Sequence, residues 1–339
     1  VVVKTKDRLT SQTLATYLNL DIAEKLASRR ATGGTRPALD YAALLSIPII
    51  YDENIVSILE EAFKLKDQKE KEAQKKIDSI DDYLLTELGI DLTSNEKESL
   101  EDRVFLRKFS TVSGDRYDSG YFRNYYYQNI YRLKENRNFK LFTLGEISKN
   151  IFQGIGQSLT EIEKNILLKV KNIRNDNKIN FEDVEFVEDI PESKKLIDND
   201  IISPFIGEAI KKNKFSTFIQ PDNCYNYTVD NNTGIIRLKD DYNSIYVSGF
   251  LMSTIGKILI EQLSGGGGVP FLGANSASKL LIPIPLSNNE IDFTKQNKIA
   301  NHIQQLRYEA KVLKDEAMEI YEDTKKEVEA MILGDLNEV

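Results

Sequence analysis

Residues 250 to 286, FLMSTIGKILIEQLSGGGGVPFLGANSASKLLIPIPL, restate residues 17 to 50, YLNLDIAEKLASRRATGGTRPALDYAALLSIPII. Leu18 pairs with Leu251, Ile22 with Ile255, Gly34 with Gly267, Pro37 with Pro270 and Leu39 with Leu272, all at one offset (251 − 18 = 233), before a two-residue insertion moves Pro48 onto Pro283. A period this long excludes a solenoid, whose units run to roughly 20 to 50 residues. Each copy leads directly into a long, highly charged helical stretch. The duplicated unit is therefore a module plus the helix that follows it, and two copies imply two equivalent business ends.

The first long helix is predicted from about Glu53 to Leu88, capped by Asp52 and stopped by Gly89. Its apolar positions, among them Ile55, Leu59, Ala62, Leu65, Ala73, Ile80, Leu84 and Leu88, recur at three- and four-residue steps. The second is predicted from about Phe293 to Leu333, with a stripe of Ile299, Ile303, Leu306, Ala310, Leu313, Ala317, Ile320 and Val328 that ends at Gly334. Charge in KLKDQKEKEAQKKIDSIDD, residues 64 to 82, leaves only a narrow stripe, which fits a two-helix seam better than burial in a core. Helices of roughly 35 to 40 residues are about 50 to 60 Å long at 1.5 Å per residue. Neither should be stable alone. Antiparallel pairing buries both stripes and is expected to place the preceding modules at opposite ends of a rod.

Composition narrows the class. At 339 residues and 41% hydrophobic the chain can bury real cores, and it contains no apolar run of membrane-spanning length. The N-terminal VVVKTKDRLT lacks the apolar region of a secretory signal, so the cytoplasm is the expected compartment. One cysteine, Cys224, expected to be buried, and one histidine, His302, exclude an internal disulfide and the usual Cys/His zinc sites. A net charge of −8 argues against an indiscriminate nucleic-acid binder, yet residues 103 to 149 gather Arg103, Arg107, Lys108, Arg116, Arg123, Arg132, Lys134, Arg137, Lys140 and Lys149 into a possible basic face.

Residues 138 to 246 carry short runs separated by Asn, Asp, Gly and Pro clusters: LFTLGEI, NILLKVKNI, FEDVEFV, DIISPFI, FSTFI, YNYTV and GIIRL. These predict a curved, mixed sheet, followed by a helix from about Asn243 to Leu263. Regular βαβ alternation is absent, which argues against a doubly wound nucleotide fold. The run Gly265 to Gly268 follows a helix and leads into Val269-Pro270, so it is a chain reversal rather than a phosphate loop. Its counterpart, Gly33-Gly34-Thr35-Arg36-Pro37, would bring Arg36 to a nucleic-acid backbone if the loop approached one. Ile282-Pro283-Ile284-Pro285 and Ile47-Pro48-Ile49 are predicted extended segments that aim the long helices. The segment from Arg116 to Tyr127 is aromatic and basic together, open equally to base stacking and to packing of tyrosines on the sheet. Catalytic motifs are missing: there is no amino-methyltransferase Asn/Asp-Pro-Pro-Tyr/Phe, no Gly-x-Ser-x-Gly and no zinc-deaminase signature. Asp183, Glu192 and Lys194 form an acid and lysine string of the kind a metal-dependent nuclease uses, but in a chain that is 29% charged such strings arise by chance.

In order, these pieces resemble the specificity subunit of type I restriction-modification systems. The likeness rests on SGFLMSTIGKILIEQLSGGGGVPFLGANSASKLLIPIPLSNNEIDFTKQNKIANHI and its weaker first copy, on RYDSGYFRNYY, on FKLFTLGEISKNIFQGIGQSL, and on LLKVKNI and LIDNDIISPFIG. It covers nearly the whole chain. The resemblance implies an α/β fold: a mixed curved-sheet target recognition domain plus two long antiparallel helices forming a coiled-coil spacer, with a truncated first recognition domain. The corresponding segments are residues 1–51, the end of that first domain; 52–90, the first spacer helix; 91–288, the second recognition domain; and 289–335, the second spacer helix. It implies double-stranded DNA as ligand, each recognition domain reading half of a bipartite site, and docking of methyltransferase and restriction/translocase subunits. S-adenosylmethionine, ATP and Mg would belong to those partners, with no cofactor and no catalysis in this chain. Readout is then expected among Gln153, Gln157 and Ser158, among Lys171, Asn172 and Arg174, and among Lys211, Lys212 and Lys214, since amides suit adenine and cationic side chains guanine. Two other readings use the same features: the recognition region of a fused type II methyltransferase/nuclease, and a coiled-coil adaptor that binds no DNA.

Overall fold

The computed structural model describes residues 8–32, 38–49, 52–92, 99–108, 112, 118–265 and 268–334. The chain divides into two compact units, residues 1–76 with 308–339, and residues 77–307.

In the first unit the helices Arg8–Leu18 and Asp21–Arg30 are separated by Leu20, whose backbone is extended (φ −73°, ψ 149°). Tyr17, Leu20 and Ala23 are buried with Ile55 and Leu59 of the first long helix and Val328 of the second. The first N–H groups of a helix have no partner within it. Here Ile22 N–H donates to the Glu329 carboxylate at 2.6 Å, an anion at the positive end of the helix dipole. Thr32 and Ala38 form an isolated antiparallel bridge, and the Tyr17 hydroxyl donates to the Pro48 carbonyl at 3.0 Å.

The second unit contains the same construction with different side chains. Its helices Ser244–Met252 and Thr254–Leu263 are bent by 76°, where the periodicity predicts one continuous helix. The break is made by Ser253: its backbone is extended (φ −69°, ψ 167°) and its hydroxyl accepts from Gly256 N–H at 3.2 Å. Glycine is required beside it, because a Cβ on Gly256 would stand 2.3 Å from the Phe250 carbonyl oxygen. Ser253 stands one repeat after Leu20, and again a carboxylate from the other long helix meets the new helix. The Thr254 N–H and hydroxyl donate to Asp81 at 2.9 and 2.5 Å. Gly265 and Phe271, the repeat equivalents of Thr32 and Ala38, form the matching bridge. The Tyr246 hydroxyl donates to the carbonyl of Pro283, the equivalent of Pro48.

The long helices span Glu53–Leu88 and Phe293–Leu333, and the Asp52 carboxylate caps the first by accepting from Asn54 and Ile55 N–H at 2.8 and 3.2 Å. They run antiparallel in each unit. In the first, Lys69 meets Glu316 at 2.6 Å, Lys76 meets Glu309, and the Phe63 and Tyr321 rings lie 6.0 Å apart. In the second, Tyr83 stacks on His302 at 4.0 Å and Lys298 meets Glu87 at 2.9 Å. The seam follows the predicted stripe through its alanines and departs from it at Leu65. Ala62, Ala73, Ala310 and Ala317 are buried, whereas Leu65 is 42% exposed, so small residues flanked by lysine–glutamate pairs fill the middle. No single described helix is long and apolar enough to cross a membrane.

All described strands belong to the second unit: β1 (Phe139–Thr143), β2 (Ser148–Gln153), β3 (Leu159–Thr160), β4 (Asn165–Leu168), β5 (Glu185–Val187), β6 (Ile201–Pro204), β7 (Ser216–Thr217), β8 (Asn226–Val229), β9 (Thr233–Leu238), β10 (Leu281–Ser287) and β11 (Glu290–Ile291). They form three sheets, ordered β1-β10-β11, β2-β9-β6-β7 and β3-β5-β4-β8, with β4 and β8 the parallel pair. Alternation along β6 and β9 sets the layers. Ile201 and Ile236 enter the core with Phe250, Leu251 and Ile303, while Ile202 and Ile235 face Ile166, Leu168 and Val229 of the third sheet. The Ile-Pro segment is β10, whose Ile282 to Pro285 pair only with β1, so its prolines forfeit no ladder bond. Ile47 and Pro48 of the first copy have no strand around them among the described residues. Two predicted strands are partly helical: after Thr143 the chain makes a turn of helix, Leu144–Ile147, and after Leu168 a 3-10 turn, Val170–Asn172. Cys224, expected to be buried, is exposed, because it falls in the turn between β7 and β8 and enters neither core layer.

Tyr246→Phe, which strands the Pro283 carbonyl in a fully buried setting, is expected to cost about 1–3 kcal/mol in urea unfolding, and Tyr17→Phe, at a part-buried bond, about 0.5–1.5 kcal/mol. Equal losses, or none, would contradict the assigned bonds.

Candidate nucleic-acid interface

Two loops of the second unit converge. The first follows β4, and Asn172 at its start is 1% exposed, with both amide donors and its carbonyl engaged inside the loop. Its amide donates to the Asn180 and Asp183 carbonyls, both at 2.9 Å, and its carbonyl accepts from Lys169 N–H at 2.8 Å. Lys171 is paired with Asp183 at 2.7 Å, with Glu185 at 3.7 Å, and the Asp183 hydrogen bond raises its pKa. Arg174 is exposed, 3.6 Å from the Asp176 carboxylate. Asn177, in the left-handed region (φ 66°), anchors the loop by donating to Ser248 Oγ at 2.5 Å and accepting from Thr217 N–H at 2.9 Å.

The second loop is the 3-10 helix Glu208–Lys212 and the two residues after it. Lys214 reaches back to the Ile173 carbonyl at 3.0 Å and so ties the two loops together. Burial pushes its pKa down, and neighbouring Lys212 pushes it further. Lys211 and Lys212 line a cavity of about 440 Å³ with Asn175, Asn213, Lys257 and Arg307. An adjoining cavity of about 470 Å³ shares Lys211 and Lys257 and extends to Tyr126 and Gly265.

The structure thus brings together two of the three predicted groups. The third lies against a different turn: Gln153 donates to the Asn231 carbonyl at 3.3 Å, and its own carbonyl accepts from Lys194 at 2.5 Å. Gly154 is pressed so closely on the Val229 carbonyl that a Cβ would lie 2.0 Å from it. Gln157 and Ser158 are exposed beyond it. Arg36, Arg116, Tyr117 and the Gly34–Gly267 pair lie outside the described residues. Of the tyrosine run, Tyr126 is buried in the core, Tyr121 and Tyr125 pack against it, and Tyr127 is exposed beneath the Arg107 guanidinium at 4.5 Å. The packing reading therefore holds for Tyr121, Tyr125 and Tyr126, while Tyr127 stays at the surface against Arg107.

Lys257 and Arg307 are the members that sequence reasoning missed. Arg307 had a signal: it sits four residues after Ile303 and three before Ala310, inside the buried stripe of the second long helix. The acid and lysine string does not assemble. Asp183 is taken by Lys171, Glu192 by Lys195 at 2.6 Å, and Lys194 by the Gln153 carbonyl. No group of three or more His, Cys, Asp or Glu among the described residues is placed to hold a metal ion.

No family model and no curated protein matches the chain. Solved structures do resemble it, among them three of type I restriction-modification proteins. The HsdS subunit from Thermoanaerobacter tengcongensis is 11% identical at a TM-score of 0.39, covering 94% of this chain and 68% of that one. The type I restriction-modification S subunit from M. genitalium is 13% identical at 0.45, covering 94% and 71%. A third, from work on complex assembly and conformational transition of the type I restriction-modification system, is 11% identical at 0.43, covering 95% and 66%.

Asn172→Ala is expected to lower stability by about 1–3 kcal/mol, since it removes three hydrogen bonds made by a buried amide, while Lys171→Met, at an exposed ion pair, should stay within about 0.5 kcal/mol. Urea midpoints of the two variants decide whether Asn172 holds the loop or is dispensable to it.

Proposed function

We propose that the chain is the DNA sequence-specificity component of a type I restriction-modification system. The observation that carries this reading is the repeat as structure. The same bridge and a carboxylate-met helix start recur in two units, each beside an antiparallel stretch of the long helices, and in each a tyrosine, from a different position of the repeat, donates to the equivalent proline carbonyl. A duplicated module with a charged helical spacer suits a ligand that is itself two spaced half-sites.

In this reading the loops after β2, after β4 and around Lys211 contact DNA, the fixed loop backbones hold the exposed side chains, and the long helices serve as spacer and as docking surface for methyltransferase subunits. Restriction/translocase subunits join through those. Methyl transfer from S-adenosylmethionine and ATP- and Mg-dependent steps belong to the partners, and this chain supplies recognition without catalysis. The cationic cleft at Lys211, Lys212, Lys257 and Arg307 supports the DNA reading over the adaptor reading, which needs no positive concavity on a chain of net charge −8.

Exchange of residues 100 to 286 for the equivalent module of another specificity subunit, assembled with the methyltransferase, is expected to change one half of the methylated site and leave the other. An unaltered methylation map would sink the proposal.

A further inference from the structure

We infer that the cleft closed by Arg307 is a phosphate-binding site, with Lys211, Lys212 and Lys257 at its mouth. If the proposed function is right, on which this identification of the ligand rests, the phosphate is a backbone phosphodiester of the DNA, gripped from the spacer helix rather than from a readout loop.

Arg307 is 8% exposed, and it lines the cavity from the second long helix. The polar partner the structure gives it is the Met252 sulfur at 3.5 Å, a weak acceptor for a guanidinium. Burial brings its pKa down to about 10, and the field of Asp176 only partly offsets this. A buried cation held this way is costly unless an anion completes it. Asp176 acts on Arg307 only through its field, and the neighbouring carboxylates are engaged elsewhere. Asp81 lines the cleft but is committed to Thr254, Asp176 stands 3.6 Å from Arg174, and Glu208 is drawn to exposed Lys211 at 2.7 Å. Asp78 also lines the cleft and partly offsets its charge. Three lysines and an arginine still outnumber the two lining carboxylates. Crowding of like charge is visible in Lys214, whose pKa Lys212 helps to lower. A guanidinium fork with several ammonium groups around it is the donor set that phosphate oxygens match.

The test uses the whole chain and Arg307→Met, a swap of similar volume beside Met252. An unrelated DNA duplex and inorganic pyrophosphate are the two probes. The slope of log K against log salt for the duplex is expected to fall by about 0.9 in the variant, one phosphate contact. Pyrophosphate should raise the Tm of the parent protein and not that of the variant. Lys212→Met with Lys257→Met, both at the mouth, provides a second variant should Arg307→Met melt early, and it should lower the slope as well. An unchanged slope in folded variants overturns the site while leaving the DNA reading intact. If the parent chain binds no duplex, the DNA reading fails. Pyrophosphate alone then decides the site: a Tm rise lost in Arg307→Met upholds it, and no rise overturns it.

Discussion

The rest of the structure depends on helix starts that cannot satisfy themselves. Two short helices, Asp21–Arg30 and Thr254–Leu263, begin right after another helix, with amide groups that nothing local can pair in full. Each receives a carboxylate from a long helix distant in sequence, Glu329 in one unit and Asp81 in the other. A carboxylate arrives there only if the long helices run antiparallel in the observed register. The seam and the modules are thus mutually required: the helices are too charged to persist alone, and the modules' inner helices lack a start without them. Within the first unit the seam carries alanines at Ala73, Ala310 and Ala317, and the pairing there is also held by Tyr17, Leu20 and Ala23 packed on Ile55, Leu59 and Val328.

Much of this was legible in the sequence, and the parts that were not share a cause. The repeat could be read because it is local: glycine, proline and aliphatic positions recur at one offset whatever they touch. The long helices could be read from three- and four-residue spacing and from Asp52 and Gly89. Illegible were features made by partners far apart in the chain. Asp81 and Glu329 look like any surface acid in a charged helix until Thr254 and Ile22 are placed against them. The break at Ser253 was hidden because the apolar positions on both sides keep helical spacing, and only the serine's own capping bond and the close approach at Gly256 divide them. Asn172 reads as a polar loop residue free to meet a base, yet its amide is the clasp of its own loop. Arg307 was the reverse case, a charge in a buried stripe, and hence the one signal that periodicity offered and the stripe's apolar residues masked.

Fixation of the loops follows from the layering. The β2-β9-β6-β7 sheet carries a core on each face, so its strands cannot slide without exposing Ile201 and Ile236 on one side or Ile202 and Ile235 on the other. The β6-to-β7 loop leaves this sheet and the β4-to-β5 loop leaves the sheet packed on it; Asn172 and Asn177 pin the latter, and Lys214 ties the two together. Discrimination between bases needs donors held within a fraction of an ångström, and a loop already ordered loses less entropy on binding. The buried asparagines fix what the exposed side chains stand on, and under the proposed function that fixation would serve recognition.

Net charge and local charge then divide the work. The net charge of −8 opposes a polyanion only at close approach, because beyond about a Debye length, roughly 8 Å in physiological salt, the repulsion is screened. What remains at contact is local, and the second unit sets Lys211, Lys212, Lys257 and Arg307 around one concavity. If the cleft is the phosphate site inferred above, such an arrangement favours a polyanion whose backbone enters it over one that meets the acidic surface elsewhere. Because Arg307 belongs to the long helix and Lys211 to a loop, an anion between them would couple the helix to the recognition loops.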